Sequence, residues 1–323
     1  MKKRFYYIIL FVGTLTILLG CSKEDDIMHP AVSANFSADK TTIFENQLIN
    51  FSDESTGNPT SWEWTFEGGT PSTSIEQNPS ITYTSEGIFN VTLTTSNEGN
   101  TNEIIKEDYI IVTDNLLNGL VGKFNLDGNG DDSSEFQNNG EIFGSVVPIP
   151  NRKNQNSSAM SFNEYEGYID VGDVNELKLT SQISISVWVN ANGKQYEWDA
   201  IVNKWQSNKS FGNGYYLGLN PDGLSLKWNV TNQVVEMNRP FPINEWVHVV
   251  VTFNGQNLKL YLNGVLENQA DVNGDIADNN ASFRIGKQSD ESTGTTGFNG
   301  GIDDVYIYNR ALSIDEITEL YNK

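Results

Sequence analysis

Apolar and polar residues alternate with a period of two along most of this 323-residue chain, the signature of strands with one buried face. Trp62-Glu63-Trp64-Thr65-Phe66 places Trp62, Trp64 and Phe66 on one side, and Gly68, Gly69 and Pro71 end the run. Residues 88–95 and 109–112 continue the pattern, with no convincing helix between 32 and 114. After a linking stretch, 115–122, the alternation resumes at 183–189 and 215–219. Pro221-Asp222-Gly223 then leads into 224–230, and Asn254-Gly255 and Asn263-Gly264 end two further strands, 246–253 and 258–262. Asparagine–glycine and aspartate–glycine pairs tolerate the positive φ of tight hairpin turns. Only the tail changes period: Ile314, Ile317, Leu320 and Tyr321 form a helical stripe, and Ser313 with Glu316 makes a capping box.

These elements predict an all-β chain of two domains. Residues 32–114 read as an immunoglobulin-like sandwich, and 118–323 as a jelly-roll sandwich whose short C-terminal helix folds back on it. The beginning reads differently. Lys2-Lys3-Arg4 precedes an apolar run, 5–19, that is short for a membrane span, the layout of a signal peptide over 1–20. It ends in Leu18-Leu19-Gly20-Cys21, which resembles a bacterial lipobox and implies a lipid on Cys21 that holds the chain to the outer membrane. Cys21 is the only cysteine, so no intramolecular disulfide forms and both domains stand on hydrophobic cores. Residues 21–31 form an acidic linker. Its Lys23-Glu24-Asp25-Asp26 resembles the surface-export signal of Bacteroidota lipoproteins, which implies display on the cell exterior; by composition alone it is a solvated spacer.

Charge narrows the functional classes. With 20 Lys and Arg against 42 Asp and Glu, the chain carries −22 and no basic patch, which excludes nucleic acid as a partner. Two histidines, His29 and His248, leave histidine-based metal or acid–base chemistry almost without material.

Two resemblances add to this reading. Residues 61–69 (Ser-Trp-Glu-Trp-Thr-Phe-Glu-Gly-Gly), with Asn78-Pro79, Tyr83, Gly87 and Val91-Thr92-Leu93, resemble a PKD domain, although Glu67-Gly68-Gly69 replaces that family's usual glycine–aspartate–glycine turn. The resemblance implies a spacer or protein-contact module, and Trp62 and Trp64 read as core residues or sugar platforms. The second domain resembles the laminin-G-like, concanavalin A-like lectin/glucanase family. That likeness is carried by the segments 126–134, Tyr168-Ile169-Asp170-Val171, Ile185-Ser186-Val187-Trp188-Val189, Asn203-Lys204-Trp205, Trp246-Val247-His248-Val249, Leu260-Tyr261-Leu262-Asn263-Gly264 and 301–312.

Three chemistries follow as expectations. The loop Leu126-Asp127-Gly128-Asn129-Gly130-Asp131-Asp132-Ser133-Ser134 is rich in the oxygen ligands that hard cations need, but Asp132 and Asn138 break the EF-hand pattern. It is either half of a calcium site or an ordinary solvated turn. Jelly rolls lay the first and last strands side by side, and related jelly-roll glycosidases hold a structural calcium there. The resemblance thus implies Asp127, Asp132 and Asp304 as ligands of a strand-pinning calcium. In Ile302-Asp303-Asp304-Val305, alternation places Ile302 with Asp304 and Asp303 with Val305. For carbohydrate, exposed aromatic rings that stack on sugar faces are the candidates: Tyr196, Trp198, Trp205 and Tyr215, with Trp228 also eligible, while Trp188 and Trp246 read as core.

Catalysis lacks material. Jelly-roll glucanases carry Glu-x-Asp-x-x-Glu on one strand, and the nearest fragments, Glu164-Tyr165-Glu166 and Glu197-Trp198-Asp199, lack the third acid. No Ser/His/Asp set is expected, with His248 inside a strand. The expectation is a non-enzymatic surface lipoprotein that binds extracellular polysaccharide or glycoprotein glycan. The alternatives are a structural or protein-binding adhesion module without a sugar site, and a glycoside hydrolase with an unrecognised acid pair.

Overall fold

The computed structural model describes residues 30–163, 166–193, 196, 198–206, 212–289 and 297–323. The signal peptide, Cys21, His29, Glu164 and Glu197 therefore lie outside the described residues. The chain divides into two units after Val112.

In the first unit, sequence alternation becomes a two-sheet core. Strand Ser61–Phe66 buries Trp64 and Phe66 completely, their rings stacked at 5.6 Å, against Phe36, Phe51, Ile81 and Leu93. Both candidate tryptophans turn inward. The Trp64 Nε1–H donates to the Glu76 carbonyl at 2.9 Å, and the half-buried Trp62 donates to Asp53 Oδ2 at 2.8 Å. The Glu67-Gly68-Gly69 turn has a steric reason: a Cβ on Gly68, at φ 68°, would lie 2.3 Å from the Phe89 ring. One sheet pairs Phe36–Ala38, Leu48–Asp53, Ser80–Tyr83 and Gly69–Thr70; the other pairs Thr42–Phe44, Thr101–Thr113, Gly87–Ser96, Ser61–Phe66 and Thr73–Ser74.

The second unit stacks two antiparallel sheets. One runs in the order Val146–Ile149, Ala159–Phe162, Gly300–Tyr308, Ile183–Ala191, Val247–Phe253, Asn257–Leu262, Val265–Asp271. Leu120–Phe124 also pairs with Gly300–Tyr308, so the expected neighbourhood of first and last strands holds. It also corrects the linker: residues 120–122 belong to a strand. The other sheet runs Glu141–Phe143, Tyr168–Gly172, Phe283–Ile285, Asp199–Gln206, Asn213–Asn220, Gly223–Val230, Gln233–Arg239. Between the sheets lie Val187, Val189, Leu217, Leu226, Trp228, Val249 and Val251, all fully buried, each stabilising the fold by about 1.5–3 kcal/mol of transfer free energy. The hairpins form where the sequence places them: Asn220 pairs Gly223 across Pro221-Asp222, with Gly223 at positive φ, and Leu262 pairs Val265 across Asn263 and Gly264, which both sit at positive φ.

The last strand departs from simple alternation. Ser186 pairs Tyr306 and Trp188 pairs Asp303, so Asp304 and Val305 together face Val187 in a β-bulge. Asp304 sits at φ 48°, and Ile302, Val305 and Ile307 all point into the core. The expected face-sharing of Ile302 with Asp304 is therefore wrong, because the extra residue shifts the parity.

Helix Ile314–Asn322 starts with the expected box, Ser313 capping Glu316 N and Glu316 reaching back to Ser313 N. Ile317 and Leu320 bury against Val250, Tyr261 and Tyr308 on the outer face of the eight-stranded sheet, whereas Ile314 is half exposed and leaves the stripe. Arg310 ties this end of the unit to its beginning. Its guanidinium donates to both Glu316 carboxylate oxygens at 2.9 and 2.6 Å and to the carbonyls of Asn118 and Asn115.

Candidate functional site

The outer face of the seven-stranded sheet is where chemistry collects. In Asn213–Asn220 and Gly223–Val230, the residues alternate with the core set, so Tyr216 and Gly218 face outward opposite Lys227 and Ser225. Next to them Asp199–Gln206 contributes Asn203, paired with Tyr216, and Trp205. Ala200, Trp205 and Tyr216 form a small cluster of their own, with Trp198 and Val234 packed on it. Gly218 makes room for the Tyr216 phenol: a Cβ there would lie 2.2 Å from its hydroxyl oxygen.

Trp198 precedes its strand in the left-handed region, at φ 71°, a backbone choice costing about 1–3 kcal/mol for such a residue. Its indole meets Tyr216 edge-on at 5.7 Å, and the Lys227 ammonium lies 3.5 Å from its ring centroid. Lys227 is also 3.2 Å from Glu236. Below, the fully buried Asp199 accepts the Tyr196 N–H at 2.5 Å. The Tyr216 hydroxyl has no hydrogen-bond partner among the described residues, and burial together with the Asp199 carboxylate pushes its pKa well above the usual tyrosine range. Trp198, Tyr216, Pro221, Asp222, Ser225 and Lys227 line a cleft of about 340 Å³, at the lower end of volumes typical for small-molecule sites (about 300–1,000 Å³).

The aromatic candidates thus separate. Trp198 lines the cleft, and Tyr196 is 38% exposed. Trp205 is on the right face but only 4% exposed, because Gly212 lies on its indole. Tyr215, also expected as a platform, is a core residue: it is 2% exposed and its hydroxyl donates to the Leu177 carbonyl at 3.0 Å. Trp228 is likewise buried in the core. Sequence reasoning passed over Tyr216, Ser225 and Lys227, although alternation with Leu217, Leu224 and Leu226 marked all three as outward.

The carboxylates expected to hold calcium are engaged by protein donors. Asp132 is buried, and its oxygens accept from Lys123 N, Ser134 N, Ser134 Oγ and Asn138 N at 2.8–2.9 Å. Asp304 binds Arg152 Nη1 at 2.9 Å and Tyr306 Oη at 2.9 Å. Asp127 is exposed. Among the described residues, no three His, Cys, Asp or Glu side chains stand close enough to hold a metal ion.

A second polar cluster lies on the outer face of the eight-stranded sheet. Arg152 bridges Asp303 (2.8 Å) and Asp304 and stacks on Trp188, which stacks on His248 and on Tyr321 of the last helix. Ser186 Oγ is 2.8 Å from His248 Nε2, a serine–histidine pair not expected from the sequence. Both residues are buried and His248 Nδ1 has no partner among the described residues, so the pair lacks the orienting acid that such nucleophiles use.

Comparison with known proteins agrees with this architecture. Residues 163–318 match the family model of the concanavalin A-like lectin/glucanases superfamily, and residues 29–112 match that of the PKD domain. The chain is all-β, a PKD domain followed by a concanavalin A-like jelly roll. Among solved structures it is similar to domain 4 of AbnA, a GH43 extracellular arabinanase from Geobacillus stearothermophilus, in complex with arabinotriose. That match has 22% identity and a TM-score of 0.51, and covers 62% of this chain and 98% of that one. It is also similar to the binding domain of Paraclostridial Mosquitocidal Protein 1, with 19% identity, a TM-score of 0.51, and coverage of 64% of this chain and 52% of that one. At these identities the likeness is one of fold. A search of curated protein sequences finds no match.

Proposed function

We propose that this protein is an outer-membrane lipoprotein, anchored through Cys21 and facing the cell exterior, that binds extracellular glycan in the Trp198 cleft. The PKD domain acts as the spacer. The observation that carries the reading is the cleft itself. An indole set by a left-handed backbone stands beside a sheet face that carries the Lys227 ammonium and Ser225, with the exposed Asp222 on the cleft's rim. Apolar sugar faces stack on such rings while hydroxyls take the polar partners. The arabinotriose complex of the similarly folded arabinanase domain supports a sugar as the ligand. The binding role also agrees with a fold shared with the binding domain of Paraclostridial Mosquitocidal Protein 1.

Binding of the full chain to a broad glycan array, followed by titration of the best binders, tests this. We expect Trp198→Ala to weaken binding at least about ten-fold, the loss of roughly 1.4 kcal/mol, with an unchanged circular-dichroism spectrum. Absence of binding across the array, or equal binding by the variant, would remove the proposal. No release of reducing sugar from the bound glycans is expected.

A further inference from the structure

The hairpin Asn220–Gly223 is a wall with two sides. On one side lies the Trp198 cleft; on the other lies a second pocket of about 270 Å³ that shares Asn220, Pro221 and Asp222 with it. This second pocket is lined by Ala191, Gly193, Pro240, Phe241 and Ile243, an apolar set with Ile243 52% exposed. The wall between them is stiff. Asn220 Oδ1 accepts the Asp222 N–H at 2.9 Å, its amide donates to Asn238 Oδ1 at 3.2 Å, and Gly223 lies against the Arg239 carbonyl. The opposite wall is stiff as well, because Pro240 and Pro242 flank Phe241 and Asn244 N–H is tied to the Ala191 carbonyl at 2.8 Å. On the crest, the Asp222 carboxylate is exposed and accepts no hydrogen bond from any described residue.

We propose that the ligand is a glycan chain rather than a single terminal sugar, with linked units seated on both sides of the hairpin. This rests on the glycan reading of the Trp198 cleft. One unit stacks at Trp198, the chain passes over Asp222, whose carboxylate accepts sugar hydroxyls from both directions, and the next unit lays its apolar face on Phe241 and Ile243. A chain spanning two rigid, contiguous subsites binds its second unit at high effective concentration, so affinity rises with length until both are filled. Ile243 and Asp222 are then specificity-determining residues for chain length.

Calorimetric titration of the full chain in detergent with arabinose, arabinotriose and arabinohexaose, and with xylose and glucose oligomers of the same lengths, tests the proposal. We expect affinity to rise at least about ten-fold from one unit to three in the series that binds. Ile243→Asp removes that gain and leaves the single-sugar affinity in place, and Asp222→Asn reduces the gain, whereas Trp198→Ala weakens every length. Equal affinity at all lengths, untouched by either rim variant, would overturn the chain-binding proposal while leaving the glycan reading standing. No binding at any length, on an array as well as in titration, would overturn both.

Discussion

At the scale of single residues, burial in the second unit decides how Lys204, Asp303 and His248 are held. Lys204 is buried with its ammonium on Asp173 (2.6 Å) and on the carbonyls of Ala281 (2.6 Å) and Asn279 (3.2 Å). That explains why Asn203-Lys204-Trp205 reads as a fold marker: the lysine caps a loop in the way a bound cation would. Asp303 and His248 form an opposed pair. Burial and the neighbouring Asp304 raise the Asp303 pKa to about 7 despite Arg152, so the folded state takes up its proton more readily than the unfolded chain. Its contribution to stability therefore falls as pH rises through about 4–7. Burial and Arg152 lower His248 to about 3, so it stays neutral when folded and its contribution falls as pH drops below about 6.5. Over their common window the two slopes cancel in part. Asp303→Asn should unmask the histidine: urea denaturation of the variant should show stability dropping between pH 7 and 5 more steeply than in the native chain. Parallel curves would refute the pairing.

At the scale of elements, the loop after the first strand owes its shape to Asp132, whose four accepted hydrogen bonds replace the backbone partners a tight loop cannot give itself. Removing a charged acceptor strands buried N–H groups, so Asp132→Ala should cost about 3 kcal/mol in chemical denaturation. The calcium expectation for Asp127, Asp132 and Asp304 rests on the sequence alone; four donors occupy the Asp132 carboxylate, whereas Asp304 accepts from Arg152 and Tyr306 and Asp127 is exposed. Thermal melting in calcium and in chelator tests it: a midpoint raised by several degrees with calcium would support a strand-pinning ion, and an unchanged midpoint would leave a polar turn.

Much at this scale was legible. The capping box and the Asn263-Gly264 turn follow from local rules that tertiary packing did not override, and the pairing of first and last strands follows from the jelly-roll topology. Two things were not. The bulge at Asp304 adds one residue, and a period of two carries no mark of an insertion. Tyr215 was misread although its parity with Leu217 and Leu219 placed it in the core, since aromatic character was weighted above the face it shares. Burial of Trp205 was beyond reach, because the backbone covering it comes from Gly212 across a hairpin.

At the scale of the molecule, the reading joins a tether, a spacer and a binding module on one acidic chain. Location can be measured directly. Protease added to intact cells should digest both domains if they face outward, and Cys21→Ser should move the protein from the membrane to the soluble fraction. Protection of the domains in intact cells would sink the display claim.

The knot at Arg310 bears on how such a chain withstands pull. Asn115 and Asn118 at the start of the second unit are held to Glu316 near its end, so tension from the connecting segment enters through the first strand and the last helix. Both elements belong to the eight-stranded sheet and its outer face, whereas the cleft sits on the other sheet. In the proposed role, the anchor's pull would reach the outer face of one sheet while glycan is held on the other, so it would load the Arg310 knot rather than the cleft.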